Sequence, residues 1–171
     1  MQRRSKGKIV YLSDYRKVER TTGKKVSAET KFEPKVALVK AYPNSDPGVI
    51  EYYSGKGYKG IIIEGTGLGH VPTTTSIKEY SWIGNVKKAV DLGIIVAATS
   101  QCLYGRVNSN VYRNLRMLRD AGAVYCEDML PEVAQVKLGV LIGNYGVAKA
   151  QEMLNKNMAG EITARTEFDF P

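Results

Sequence analysis

Short unbroken apolar runs alternate along the chain with longer stretches in which apolar residues return every three or four positions. Val36-Ala37-Leu38-Val39, Ile61-Ile62-Ile63, Ile94-Ile95-Val96-Ala97-Ala98 and the weaker Val124-Tyr125-Cys126 contain no polar residue, the pattern of strands buried on both faces of a parallel sheet. The stretches between them read as helices. In the first, Asp46 is placed to cap, Pro47 fits the first turn, Val49, Ile50 and Tyr53 share a face, and Gly57 stops the helix. A second is expected from about residue 76 to 92, with Ile77, Trp82, Ile83, Val86, Ala89 and Val90 toward the sheet. A third spans about 111–121 and closes at Gly122, a fourth runs from Pro131 through Ile142, and a fifth covers about 146–157. Strands alternating with helices define βαβ units, so the expected class is α/β, a small open parallel sheet of about four strands with flanking helices.

The first 34 residues break this rhythm. Ile9-Val10-Tyr11-Leu12 is β-prone, and a charged, glycine-interrupted stretch including Thr21-Thr22-Gly23-Lys24 follows as far as Pro34. This reads as a basic strand or hairpin and linker over 1–34, followed by the α/β domain over 35–171. A chain of 171 residues supports one such core. Charge follows the same division: the formal net charge is +8, and residues 1–35 hold 11 Lys and Arg against 4 Asp and Glu. Such a segment is either a solvated linker or an arm for an anionic partner such as RNA, with Tyr11 and Tyr15 among its cations. No repeat or low-complexity tract is present. Two cysteines, Cys102 and Cys126, do not make a disulfide scaffold, and no apolar run is long enough for a membrane helix or a signal core, so a cytoplasmic protein is expected.

Candidate chemistry collects where strands end. Gly65-Thr66-Gly67-Leu68-Gly69-His70, Ser100-Gln101-Cys102-Leu103-Tyr104-Gly105 and Cys126-Glu127-Asp128-Met129-Leu130-Pro131 each follow an apolar run, and strand-exit loops of parallel sheets line ligand crevices. The glycine loop is not a dinucleotide fingerprint: the third glycine is misplaced, and Pro72 and three threonines precede the helix. It has no phosphate-loop lysine, because His70 follows Gly69. His70 is the only histidine, read either as a hydrogen-bonded structural group or as a base beside Cys102. Cysteine and histidine spacing matches no metal site. Glu127, Asp128 and Glu132 suit acid–base work or, as the plainer reading, capping of the Pro131 helix. Arg106 and Asn108 suit a carboxylate, a facing subunit or a turn.

Together Gly60-Ile-Ile-Ile-Glu64-Gly-Thr-Gly-Leu-Gly-His70, Thr99-Ser-Gln-Cys-Leu-Tyr-Gly-Arg-Val-Asn108 and Cys126-Glu-Asp-Met-Leu-Pro-Glu132 resemble the C-terminal domain of type I L-asparaginases. Within that family the likeness is to the D-subunit branch, that of archaeal glutamyl-tRNA(Gln) amidotransferase. Lys8-Ile-Val-Tyr-Leu-Ser-Asp-Tyr-Arg-Lys17 is similar to that branch's connection between its two halves, and Ala159-Gly-Glu-Ile-Thr163 to its closing segment. The resemblance implies a small C-terminal α/β domain, a large N-terminal domain and intimate dimers with active sites near the contact between protomers. It also implies release of ammonia from glutamine or asparagine without a cofactor, and a partner, the amidotransferase E subunit, that uses ATP and magnesium to convert Glu-tRNA(Gln) to Gln-tRNA(Gln).

The family's nucleophile lies in an N-terminal Thr-Gly-Gly-Thr-Ile motif, joined by a second threonine, an aspartate and a lysine, and this sequence contains none of these. Thr73-Thr74-Thr75 and Thr21-Thr22-Gly23 lack the strand-loop context. No catalytic or metal residue is therefore assigned, and the chain is expected to be silent alone and to complete a site with an N-terminal asparaginase-like domain or a second copy. Gly67, Gly69 and His70 are expected at the pocket rim, Gln101, Cys102 and Arg106 at an interface or effector site, and Glu132 beside them. The alternatives are a non-catalytic module that binds a small amide or a partner protein through the same loops, and an RNA-contacting adaptor using the basic arm.

Overall fold

The computed structural model of the chain describes residues 2–5, 8–11 and 27–165. Strands β1 (Gln2–Ser5) and β2 (Lys8–Tyr11) form an antiparallel hairpin with Arg3 opposite Val10. Tyr15 and the Thr21–Lys24 stretch lie outside the described residues.

The domain is built on a parallel sheet of β3 (Val36–Lys40), β4 (Gly60–Gly65), β5 (Ile95–Ser100) and β6 (Val124–Tyr125), in that spatial order. Ile61 lies beside Ala37 and Val96, and Ile62 beside Leu38 and Ala97. Successive side chains point to opposite faces, so the apolar runs feed two cores at once. One core joins Ile61, Ile63, Val96 and Ala98 to α1 (Gly48–Gly55), α2 (Ile83–Asp91) and α3 (Arg113–Asp120) through Ile50, Trp82, Val86, Leu115 and Leu118. The other joins Val36, Ile62, Ile95 and Ala97 to α4 (Pro131–Tyr145) and α5 (Val147–Met153) through Ala134, Leu138, Leu141, Ala150 and Leu154. Constant crossover handedness, the rule for βαβ units, puts the three crossover helices on one face and leaves the other for α4 and α5. Because the strand order never reverses, this sheet has no topological switch point to open a crevice between its strands.

Local chemistry sets the helix limits. Asp46 accepts the Gly48 N–H at 2.7 Å, the expected cap of α1. The second helix starts later than its periodicity suggests. Thr75 Oγ1 donates to the Ile77 carbonyl and Ser81 Oγ to the Thr73 carbonyl, both at 2.6 Å, and Ile77 and Ser81 are extended around a single 3-10 turn at Lys78–Tyr80. Hydroxyl bonds to the backbone compete with a helix here, and Ile77 ends more than half exposed rather than facing the sheet. Helix α2 begins after Trp82, which is fully buried, its backbone N–H bonded to Pro72 and its indole N–H to the Ser45 carbonyl.

Residues 31–33 lie across the outside of α4 at two glycines. A Cβ on Gly139 would meet the Phe32 ring at 2.5 Å, and one on Gly143 the Phe32 backbone nitrogen at 2.7 Å. The absence of those side chains lets Glu33 N–H reach the Gly139 carbonyl at 2.9 Å, while Asn144 brackets Lys31 through its backbone N–H and carbonyl. Among the described residues no helix is long and apolar enough to cross a membrane.

Candidate functional site

The strand exits are joined to one another by hydrogen bonds. Gln101 is turned inward: its side-chain amide donates to the carbonyls of Ala41 and Glu64 at 2.5 and 3.0 Å, and its backbone N–H to Gly65. One side chain thus ties the ends of β3, β4 and β5. Ser100 Oγ donates to the Gly67 carbonyl and accepts the Cys102 N–H. Asn108 N–H reaches Leu68, and Val107 N–H reaches Glu127, bringing the three loops predicted from sequence into one surface.

The glycine loop is a tight turn, with Thr66 and His70 exchanging backbone bonds. Gly69 is buried with φ +95°, and a Cβ there would press on Val107 and Tyr125 at 3.1–3.3 Å. Gly67 is exposed with φ +51° and nothing within 4 Å of a Cβ. The glycines thus serve turn and packing. His70 is half-buried, its Nδ1 3.3 Å from the Thr66 carbonyl oxygen and its ring 5.5 Å from the Tyr112 ring. His70, Tyr112, Arg113 and Asn114 line an open depression of about 500 Å³ at the start of α3. Around the strand exits Tyr42, Leu103, Tyr104, Val111 and Tyr112 are at least half exposed, Tyr104 by 85%.

Arg106 is not among the residues that line this depression and belongs to a polar cluster with Glu127, Asp128 and Thr163. Its guanidinium is 2.7 Å from Glu127 and 3.6 Å from Asp128, and it donates to the Thr163 carbonyl and hydroxyl. Asp128 accepts the Thr163 N–H and Oγ–H, so it clasps the closing segment instead of capping α4, whose N-terminus has no side-chain cap. The same segment is held again at Glu161, 2.5 Å from Lys137 on α4, both side chains nearly buried. Burial alone would raise the Glu161 pKa, but the Lys137 ammonium and the N–H groups of Ala159 and Met158 outweigh it and bring it to about 2.

Of the expected residues, Gly67, Gly69 and His70 stand together, Gln101 lies inside the loop framework, and Arg106 belongs to the clasp. Cys102 is exposed, a free thiol, and Glu132 is exposed on the first turn of α4. Cys126 is fully buried, and burial lifts its thiol to about 12, with Lys137 opposing and Glu127 adding to the shift. Among the described residues no three His, Cys, Asp or Glu side chains gather as a metal site. Tyr112, Arg113 and Asn114 were not legible as site residues, because the third helix was expected to begin at 111. Tyr112 is instead extended, following the turn-forming Asn108-Ser109-Asn110 run that is the signal for the later start.

A four-stranded, singly wound α/β layer with a closing segment clasped at its strand exits defines the class. Residues 35–154 match the Glutaminase/Asparaginase C-terminal domain, and the chain belongs to that family. It is 50% identical over 165 residues to the glutamyl-tRNA(Gln) amidotransferase D subunit of Thermococcus kodakarensis, covering 95% of this chain, and 46% identical over 155 residues to that of Methanococcus maripaludis, covering 91%. The chain spans 35% of the length of each of these relatives. The thermostable L-asparaginase from Thermococcus kodakarensis has the same fold, with a TM-score of 0.77 at 23% identity over 96% of this chain and 47% of its own. L-asparaginase I from Vibrio cholerae follows at 0.73 and 26% identity, over 86% of this chain and 43% of its own.

Proposed function

We propose that this chain is the C-terminal domain of the ammonia-releasing unit of a tRNA-dependent amidotransferase, and that its strand-exit surface completes an active site whose nucleophile another polypeptide domain supplies. The supporting observation is the depression lined by His70, Tyr112, Arg113 and Asn114, with Tyr42 and Tyr104 exposed on the neighbouring strand-exit loops, on a chain similar over 90% or more of its length to the amidotransferase D subunits. Tyrosine and arginine set around a concavity are the side chains that dominate protein–protein contacts. In this reading Gly67 and Gly69 shape the turn that presents His70 at the rim, and Gln101 fixes the exits of three strands. Arg106 secures the closing segment, and exposed Cys102 and Glu132 are offered to an interface or an effector. The facing partner is an asparaginase-like N-terminal domain or a second copy of the chain. Amide hydrolysis needs no cofactor, ATP and magnesium serve the step of the partner amidotransferase E subunit, tRNA is engaged indirectly, and the setting is cytoplasmic.

Mixing the chain with a separately produced N-terminal domain of the Thermococcus kodakarensis D subunit, and measuring ammonia from glutamine and asparagine, tests the proposal. Activity is expected only in the mixture, and Tyr112→Ala should weaken co-assembly by about tenfold or more. Hydrolysis by the chain alone, or a mixture that neither associates nor acts, refutes the reading.

A further inference from the structure

The end of the sheet opposite the strand exits carries basic and aromatic side chains that the site above does not use. Because β3 and β4 run parallel, the residues that lead into them lie together: the Lys59 N–H reaches the Lys35 carbonyl at 2.8 Å, and Lys35 Nζ reaches the Lys56 carbonyl at 2.9 Å. Gly57, with φ +73°, turns the chain out of α1 and lets the Tyr58 N–H return to the Tyr53 carbonyl. The turn thus gathers Lys35, Lys56 and Lys59 beside the tyrosines of α1. All three lysines are exposed, and among the described residues none forms an ion pair. The tyrosines have two roles. Tyr53 and Tyr58 are partly buried against the core of α1–α3 and stand edge to face at 4.7 Å, so packing accounts for them. Tyr52 is 60% exposed, and its ring is braced in the open, edge to face with Tyr53 at 5.3 Å and with the Lys56 ammonium 5.7 Å from its centre.

We infer that this end of the domain binds an unpaired nucleic-acid strand, with a base stacked on Tyr52 and the neighbouring phosphates on Lys56, Lys59 and Lys35. Tyr52 and Lys56, at i and i+4, share one side of α1, so the stacking surface and the nearest counter-charge are one helical turn apart. Every base has a face to stack, and lysines neutralise phosphates without reading sequence, so the contact is tolerant of sequence. The ring is what selects a nucleic acid over an acidic polypeptide, which would engage the lysines and have no use for an open aromatic face. The charge of the chain favours the same end: residues 1–35 hold 11 Lys and Arg against 4 Asp and Glu, and they lead into β3 at Lys35, where their field draws a polyanion toward the patch. The inference goes beyond the proposed function, in which RNA is met only through a partner. The two surfaces lie at opposite ends of the strands, so ammonia release neither requires nor tests this one.

Fluorescence anisotropy of end-labelled oligouridylate and oligothymidylate of about 12 nucleotides, titrated with the full chain at about 0.1 M salt, should give dissociation constants on the order of 10 μM, and the tighter of the two names the source of the strand. Tyr52→Ala should weaken binding about tenfold, and Tyr52→Phe, which keeps the ring, by less than about twofold. Lys56→Ala and Lys59→Ala should each flatten the slope of log K against log salt by about 0.7, whereas Tyr52→Ala leaves that slope unchanged. Lys149→Ala removes the same charge from an exposed position on α5 and should alter the affinity by less than about twofold. Matched circular dichroism and melting of the variants establish that the fold is unchanged. A chain that binds neither oligonucleotide at about 100 μM overturns the inference. So does binding that ignores the Tyr52 and lysine changes, which would place the strand on the residues before 35, and so does polyglutamate bound as tightly as the oligonucleotides and equally in the parent and in Tyr52→Ala, which would make the partner an acidic polypeptide.

Discussion

At the scale of single residues, three glycines that look alike in the sequence have different physical work. Gly65 leaves no room for a side chain: a Cβ would lie 2.7 Å from the Gly69 carbonyl carbon and 2.8 Å from the His70 oxygen, both backbone atoms that cannot step aside. Gly67 meets only solvent, so a side chain there strains the backbone at φ +51° and nothing else. Gly65→Ala should therefore cost about 2–4 kcal/mol in urea denaturation and Gly67→Ala about 1 kcal/mol. Equal costs would place the constraint in the backbone dihedral alone. Glu161 gives a second test, on pH. Its folded pKa of about 2 lies below its ordinary value near 4.5, so its contribution is complete above pH 4.5 and is lost as pH falls from there toward 2. Glu161→Gln leaves the Lys137 ammonium buried without its carboxylate and should cost about 2–4 kcal/mol at pH 7. The gap between parent and variant should narrow as the urea midpoints are followed down through that window. A gap that stays constant would mean that the pair does not hold the closing segment.

At the scale of elements, legibility depended on whether a residue's neighbours in space were also its neighbours in sequence. The four strands could be read because burial on both faces demands continuous apolar runs, and the α1 cap because Asp46 acts two residues away. The start of α2 was misread because Thr75 and Ser81 redirect the backbone with hydroxyls whose targets periodicity does not reveal. Asp128 was read as a cap because Thr163, its actual partner, lies 35 residues on. The inward turn of Gln101 was equally hidden, since its acceptors sit at the ends of two other strands. Gly139 and Gly143 passed unremarked because what they admit is a segment more than 100 residues earlier. Gly143→Ala tests that packing: alanine strengthens an open helix by about 1 kcal/mol, but here its methyl group collides with the Phe32 backbone. The expected result is net destabilisation, with faster hydrogen exchange at the Glu33 N–H. A more stable variant with unchanged exchange would show that residues 31–33 are not seated on α4.

For the whole molecule, the arrangement of two cores on one sheet makes a claim about cooperativity. Ile61 and Ile63 face α1–α3, Ile62 faces α4, and all three belong to β4, so neither layer can be lost without exposing residues that also anchor the other. The chain carries a native probe in each layer. Trp82, the only tryptophan, is fully buried among α1–α3, and Cys126 is fully buried against α4 with its thiol raised to about 12 and hence protonated at neutral pH. In a Cys102→Ser background, which removes the exposed thiol, Cys126 should resist a thiol reagent until unfolding. Its labelling, after brief exposure to reagent, and Trp82 fluorescence should then follow the same urea transition, with one midpoint and one slope. Labelling that precedes the fluorescence change would mean that α4, α5 and the closing segment detach first. The clasp of Thr163 by Asp128 and the Lys137–Glu161 pair would then be the last contacts laid on an already folded sheet, rather than part of its single cooperative unit.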